Sequence, residues 1–215
     1  MKGLLLKDWY QVRTSMKAMC LTVAFVLVIW VFSTSNAYVF PVSYAAVFLG
    51  ILPINLLAYD HASGWTEYSF ALPLSKELQV AEKYLVGLLC TAVSAALNGI
   101  FCGILFWMGK PLPVMPIGLL LGAGAASILL INGIMLPLYY RFGAEKARML
   151  YMLMFAGMGA ALGGGAVMDE LQQNGTGSGP LPVPLWLAAV LLLAVLALYA
   201  VSWRVSVAWY GKYKK

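Results

Sequence analysis

The sequence predicts an all-α integral membrane protein with six transmembrane helices, an N-terminal interfacial helix and a short cytoplasmic helix between spans 2 and 3. Three observations predict it. The 215 residues are 62% hydrophobic and 10% charged, with a mean hydropathy of +0.85, a balance that makes lipid the solvent for most of the chain. Six apolar runs approach or exceed the ~20 residues that cross a bilayer: 18–32, 39–59, 85–108, 117–138, 149–168 and 185–203. In that arrangement 13 of the 14 Lys and Arg residues fall on one side and only Lys110 on the other, so the positive-inside rule puts both termini in the cytoplasm. The net charge of +6 then reads as topology and contact with anionic lipid headgroups, not as a nucleic-acid footprint, because no soluble basic domain carries it.

The leader, residues 1–17, is too polar to span. Helical spacing puts Leu5, Trp9, Val12 and Met16 on one face with Lys7 and Gln11 opposite, the pattern of a helix lying flat in the membrane interface. Ser35-Asn36-Ala37 resembles a signal-peptidase site, but the long amphipathic leader favours a retained first span. The outer connections are short or rich in Gly, Ser and Pro, as in 169–184, and none has the composition of a receptor domain.

The polar connection 60–84 is the exception inside. Trp65, Tyr68 and Leu72 recur at i, i+3 and i+7, which lines one face of a short helix, and Pro73 limits it. Ser75 is placed to cap a second helix that starts near Lys76, with Glu77 in its first turn where the dipole favours an acid. Within the spans the polar groups are Asn55, Ser94, Asn98, Ser127 and Asn132, read as interhelical glue or as path lining. Pro53 and Pro137 are candidate kinks. Gly99 with Gly103, Gly118 with Gly122, and the run from Gly157 to Gly165 are candidate close-approach faces.

Several chemistries are missing. No acidic or basic residue lies deep in a span, which disfavours an ion-coupled pump. Cys20, Cys90 and Cys102 all fall inside spans and His61 is the lone histidine, so neither a metal site nor a disulfide framework is expected. Gly109-Lys110-Pro111 lacks the glycine and hydroxyl of a Walker A loop. Any energy for transport must therefore enter from a partner, and the ordered, aromatic-bearing connection 60–84 is the natural place for it to dock.

The basic start "KGLLLKDWY", the six runs and the connection "D...GW.EYSFALPLSK..QV.EKYL" together resemble the small ABC-2 type permeases of bacterial ATP-binding cassette exporters, in particular permease subunits of phenol-soluble modulin exporters. Lys76 stands where the pattern has Arg, which keeps the charge and loses the planar fork. The resemblance implies one permease domain over 1–215, with 1–17 as an elbow helix and 60–84 as a coupling loop seated in a groove of the ATPase. It implies docking through Gly64, Trp65, Glu67, Tyr68 and Leu72, edged by Lys76 and Glu77. It further implies two copies of this chain with two ATPase subunits that hold ATP and Mg, no cofactor or catalysis in this chain, a bacterial cytoplasmic membrane, and a small amphipathic or hydrophobic substrate, peptide above all. Asn55, Ser94, Asn98 and Asn132 are the candidate path residues. The rival reading is a membrane anchor whose loop recruits a soluble partner without transport.

Overall fold

The computed structural model describes residues 2–15, 17–32, 39–71, 75–109, 117–172 and 185–210, and these form seven helices. They are α1 (Lys2–Ser15), α2 (Lys17–Phe32), α3 (Val39–Ala62), α4 (Trp65–Ala71), α5 (Lys76–Trp107), α6 (Ile117–Gln172) and α7 (Leu185–Tyr210). Among the described residues four segments are long and apolar enough to cross a membrane: Tyr44–Ala62, Lys76–Trp107, Leu121–Gly143 and Ala189–Tyr210. The expected fourth and fifth runs belong to α6, which is interrupted at Gly143 (φ 80°, ψ 176°), a backbone region that side-chain-bearing residues avoid. Helical geometry continues through Pro53 and Pro137, so the break falls at Gly143 and not at the prolines.

α3, α5, α6 and α7 form the centre, with α2 against α3 and α5. Asp60 near the end of α3, Gln79 near the start of α5, Tyr139 before the break in α6 and Tyr210 at the end of α7 line one cavity. These four ends therefore gather at one end of the bundle, and α5 runs antiparallel to the others. Beside that end Leu57, Val80, Tyr84, Leu136, Tyr140 and Tyr210 share a buried cluster; Val23, Leu27, Ala45, Phe101 and Leu105 share another between α2, α3 and α5. The exterior is apolar: Phe25, Ile29 and Phe32 on α2, Leu89, Val93 and Ile100 on α5, and Leu191, Leu198 and Val201 on α7 are all exposed. Such continuous apolar surface is stable only against lipid or another apolar face.

The polar groups depart from expectation. Asn98 Nδ2 donates to Ser94 Oγ (3.4 Å), Asn132 Nδ2 to Ile128 O (3.0 Å) and Ser127 Oγ to Gly124 O (2.8 Å), all within their own helices. Bonds between the spans come instead from tyrosines and from Ser202, whose Oγ donates to Gly133 O. Tyr84 Oη meets Ser202 Oγ and Ser206 Oγ at 2.7 Å each, Tyr199 Oη donates to Tyr84 O (2.8 Å) and Tyr139 Oη to Leu57 O (3.0 Å). Within one chain the glycines expected at close-approach faces make no close approach: a Cβ at Gly99, Gly103, Gly118 or Gly122 would meet nothing within 4 Å, whereas at Gly87 it would lie 2.5 Å from Tyr199 Oη. The surroundings of Gly157–Gly165 lie outside the described residues. Cys90 and Cys102 are both buried.

Candidate functional site

The connection between α3 and α5 is a turn, a helix and a second helix start. α3 ends where Ser63 N–H donates to Tyr59 O (2.9 Å) and Gly64 N–H to His61 O (3.2 Å); Gly64 takes φ +72°, which reverses the chain without strain only because no Cβ is present. α4 follows, its first turn closed by Tyr68 N–H to Gly64 O (3.2 Å). Ser75, extended at φ −67° and ψ 143°, accepts from Leu78 N–H and caps α5, with Glu77 in the first turn, as its sequence position predicts. Leu72 and Pro73 lie outside the described residues.

α4 is fastened from below. Gln79 of α5 donates through Nε2 to Ser69 O (3.1 Å) and accepts at Oε1 from Ser69 Oγ (3.3 Å). Tyr210 Oη of α7 donates to the same Oε1. One amide thus ties the end of α4 to α5 and α7. The outward surface is formed by exposed Gly64, Glu67, Tyr68, Lys76 and Glu77. Trp65 and Tyr68 share a face of α4, their ring centroids 5.6 Å apart, but differ in exposure: Tyr68 is 58% exposed while half-buried Trp65 lies under Lys7 Nζ, 4.8 Å from the ring centroid.

Beneath α4 is a group of charges that lie far apart in the sequence. Lys7 of α1 donates to both carboxylate oxygens of Asp60 at 2.7 Å. Lys83 of α5 donates to both of Asp8 at 2.8 Å and lies 2.8 Å from Asp60 Oδ2; Lys7 and Asp8 close the ring at 3.1 Å. Asp8, Asp60 and Lys83 are almost fully buried, and beside them Glu82 reaches Lys83 Nζ only at 3.8 Å. Charges removed from water persist only when paired in this way. The ring locks α1 to the end of α3 and the start of α5.

The same ring corrects the orientation of α1. Leu4 and Asp8 are buried, and Leu5 and Val12 pack on a cluster of α3 and α5 residues, so the inward face is centred near Asp8. At 100° per residue this is roughly 50° from the expected stripe, and Trp9, with Leu6 and Tyr10, is exposed. Lys7, expected opposite the packed face, is paired; Met16 lies outside the described residues. A signal was present in the sequence: Asp8 sits between Leu4 and Val12 at i±4, and an acid on an apolar face requires a buried cation. Of the candidate path residues, Ser94, Asn98 and Asn132 are buried on α5 and α6, with Asn98 Oδ1 and Asn132 Oδ1 lacking hydrogen-bond partners among the described residues. Asn55 is half-buried on α3.

Four span-length helices, an apolar exterior and buried polar bridges define a multi-pass helical membrane protein. Its family is shown by a match to the ABC-2 family transporter proteins over residues 3–211, nearly the whole chain, and the chain belongs to that family. No curated protein and no solved structure matches it. ABC-2 membrane permeases lack catalytic activity of their own and generally pair with ABC ATPase subunits.

Proposed function

We propose that this permease serves a bacterial ABC exporter that moves a small amphipathic or hydrophobic substrate, peptide of the phenol-soluble modulin kind above all, and that α4 is its coupling helix. Two copies work with two ATPase subunits, which hold ATP and Mg. Both termini lie in the cytoplasm, as the placement of 13 of the 14 Lys and Arg residues supports.

Six crossings fit the chain path. α7, about 39 Å long at 1.5 Å per residue, starts at the end of the bundle far from Tyr210. The chain must return there after Gly143, and the limb of α6 up to Gln172 is helical throughout, about 43 Å. α2 is shorter, about 24 Å for its 16 residues, and spans with its flanks. α1 serves as the elbow, its inner face fixed by the charge ring and its exposed Leu6, Trp9 and Tyr10 turned to the headgroup layer.

The observation that carries the reading is the rigid fastening of α4. An ATPase that pushes on exposed Gly64, Glu67, Tyr68, Lys76 and Glu77 moves a body already bonded to α5 and α7 through Gln79 and to α1 through Trp65 and Lys7. Leu72 completes that surface in the sequence pattern. The displacement passes into α5, which bears Ser94 and Asn98, and opens a path across which Asn55, Asn98 and Asn132 offer amide groups. A path without fixed charge suits an amphipathic substrate.

The test is disulfide crosslinking of Tyr68→Cys to cysteines placed around the groove of the cognate ATPase. Efficient crosslinking at Tyr68, and none from Trp107→Cys on the exposed far end of α5, is the expected result. Absence of crosslinking in an intact complex removes α4 from the docking surface, and a crosslink that forms without any substrate movement favours a membrane anchor.

A further inference from the structure

Behind α4 lies a cavity of about 290 Å³, walled by Trp65, Tyr139, Tyr140, Tyr210 and Leu57, with Glu82 in its lining and exposed His61 and Glu67 at its rim. Glu82 is 4% exposed, and its Oε1 is buried without a hydrogen-bond partner among the described residues. The nearest cation, Lys83 Nζ at 3.8 Å, is engaged at 2.8 Å by Asp8 and by Asp60. Two cations, Lys7 and Lys83, thus face three carboxylates, and Glu82 shares Lys83 with the other two at longer range while its Oε1 has no donor among the described residues. A buried acceptor left in that condition is costly.

We infer that this cavity is a binding site for a primary ammonium group carried on a short apolar or aromatic arm. An ammonium supplies the missing charge and up to three donors, one for Glu82 Oε1, while the aromatic walls receive the arm and favour a cation over their faces. A neutral donor such as an alcohol supplies the hydrogen bond without the charge, and an anion without a donor supplies neither. A quaternary ammonium has the charge without the donor. A metal ion finds too few ligands, since Asp8 and Asp60 are held by lysines and no group of three candidate ligands occurs among the described residues. The amine belongs either to a free molecule, such as a peptide amino terminus or lysine, or to the headgroup of an aminophospholipid. The cavity shares Trp65 and Glu67 with α4, but Glu82 takes no part in the docking surface, and failure of this inference would leave the coupling assignment untouched.

The experiment is calorimetric titration of phenethylammonium into the full chain in phosphatidylcholine nanodiscs, with 2-phenylethanol as the neutral isostere. Saturable binding of the amine, weakened at least about tenfold for the alcohol and for Glu82→Gln and largely retained by Glu82→Asp, is the expected result. No saturable binding, equal affinity for amine and alcohol, or an unchanged affinity in folded Glu82→Gln overturns the inference. The comparison of amine and alcohol on the unaltered chain decides the matter if Glu82→Gln does not fold. Adding phosphatidylethanolamine separates the sources: competition with phenethylammonium in the unaltered chain identifies the lipid headgroup, and its absence identifies a free amine.

Discussion

Replacing Lys83 by methionine tests whether the charge ring holds the elbow to the bundle. Lys83 Nζ is 2.8 Å from both Asp8 and Asp60, with 3% of its side chain exposed, so it is a buried partner and not a surface ion pair. An exposed pair contributes roughly 0–1 kcal/mol; removing one member of a buried set leaves uncompensated charge and costs about 3–5 kcal/mol. Lys83→Met leaves Lys7 to face Asp8, Asp60 and Glu82 alone. Adding Asp8→Asn removes the carboxylate that lost most and preserves the Lys7–Asp60 pair at 2.7 Å. The double variant should therefore be more stable than Lys83→Met, with an interaction term of about 2–3 kcal/mol. Unfolding of the protein in mixed micelles by titrated sodium dodecyl sulfate, followed by circular dichroism, reads both quantities. A cost below about 1 kcal/mol for Lys83→Met, or strict additivity in the cycle, would refute the reasoning.

Two other substitutions probe the packing around the site. Gly87→Ala brings a Cβ to 2.5 Å from Tyr199 Oη, which is held by its bond to Tyr84 O, and should cost about 1–3 kcal/mol in the same unfolding assay; Tyr199→Phe in combination should recover part of the loss. Gln79→Ala cuts α4 from both α5 and α7, so limited proteolysis between α3 and α5 should accelerate severalfold while α5 keeps its Ser75 cap. An unchanged cleavage rate would mean that Gln79 does not fasten α4.

Local signals in the sequence located the helices well. Ser75 and Glu77 mark the start of α5 because capping depends on neighbouring residues alone, and the apolar runs match α2, α3, α5 and α7 within a few residues at most ends. The partners of Asp8, Lys7, Asp60 and Lys83 were not legible, since their pairing spans 53 and 75 residues and hydropathy counts each as a flanking charge. Hydropathy does not register that the hydroxyls of Tyr84, Tyr139 and Tyr199 bridge helices, while the amides of Asn98 and Asn132 bond within α5 and α6. Gly143 escaped notice among many glycines because its role is a backbone angle, set by where the two limbs of α6 must go.

The central claim is that α4 transmits ATPase motion to the helices. ATP hydrolysis by the cognate ATPase, measured in liposomes with this chain and with Glu67→Gln plus Tyr68→Ala, tests it most directly, because both side chains are exposed. The account predicts an assembled complex whose hydrolysis no longer responds to substrate and whose transport falls at least about tenfold, the loss of ~1.4 kcal/mol of coupling. Unaltered substrate-responsive hydrolysis and transport in the double variant would contradict it.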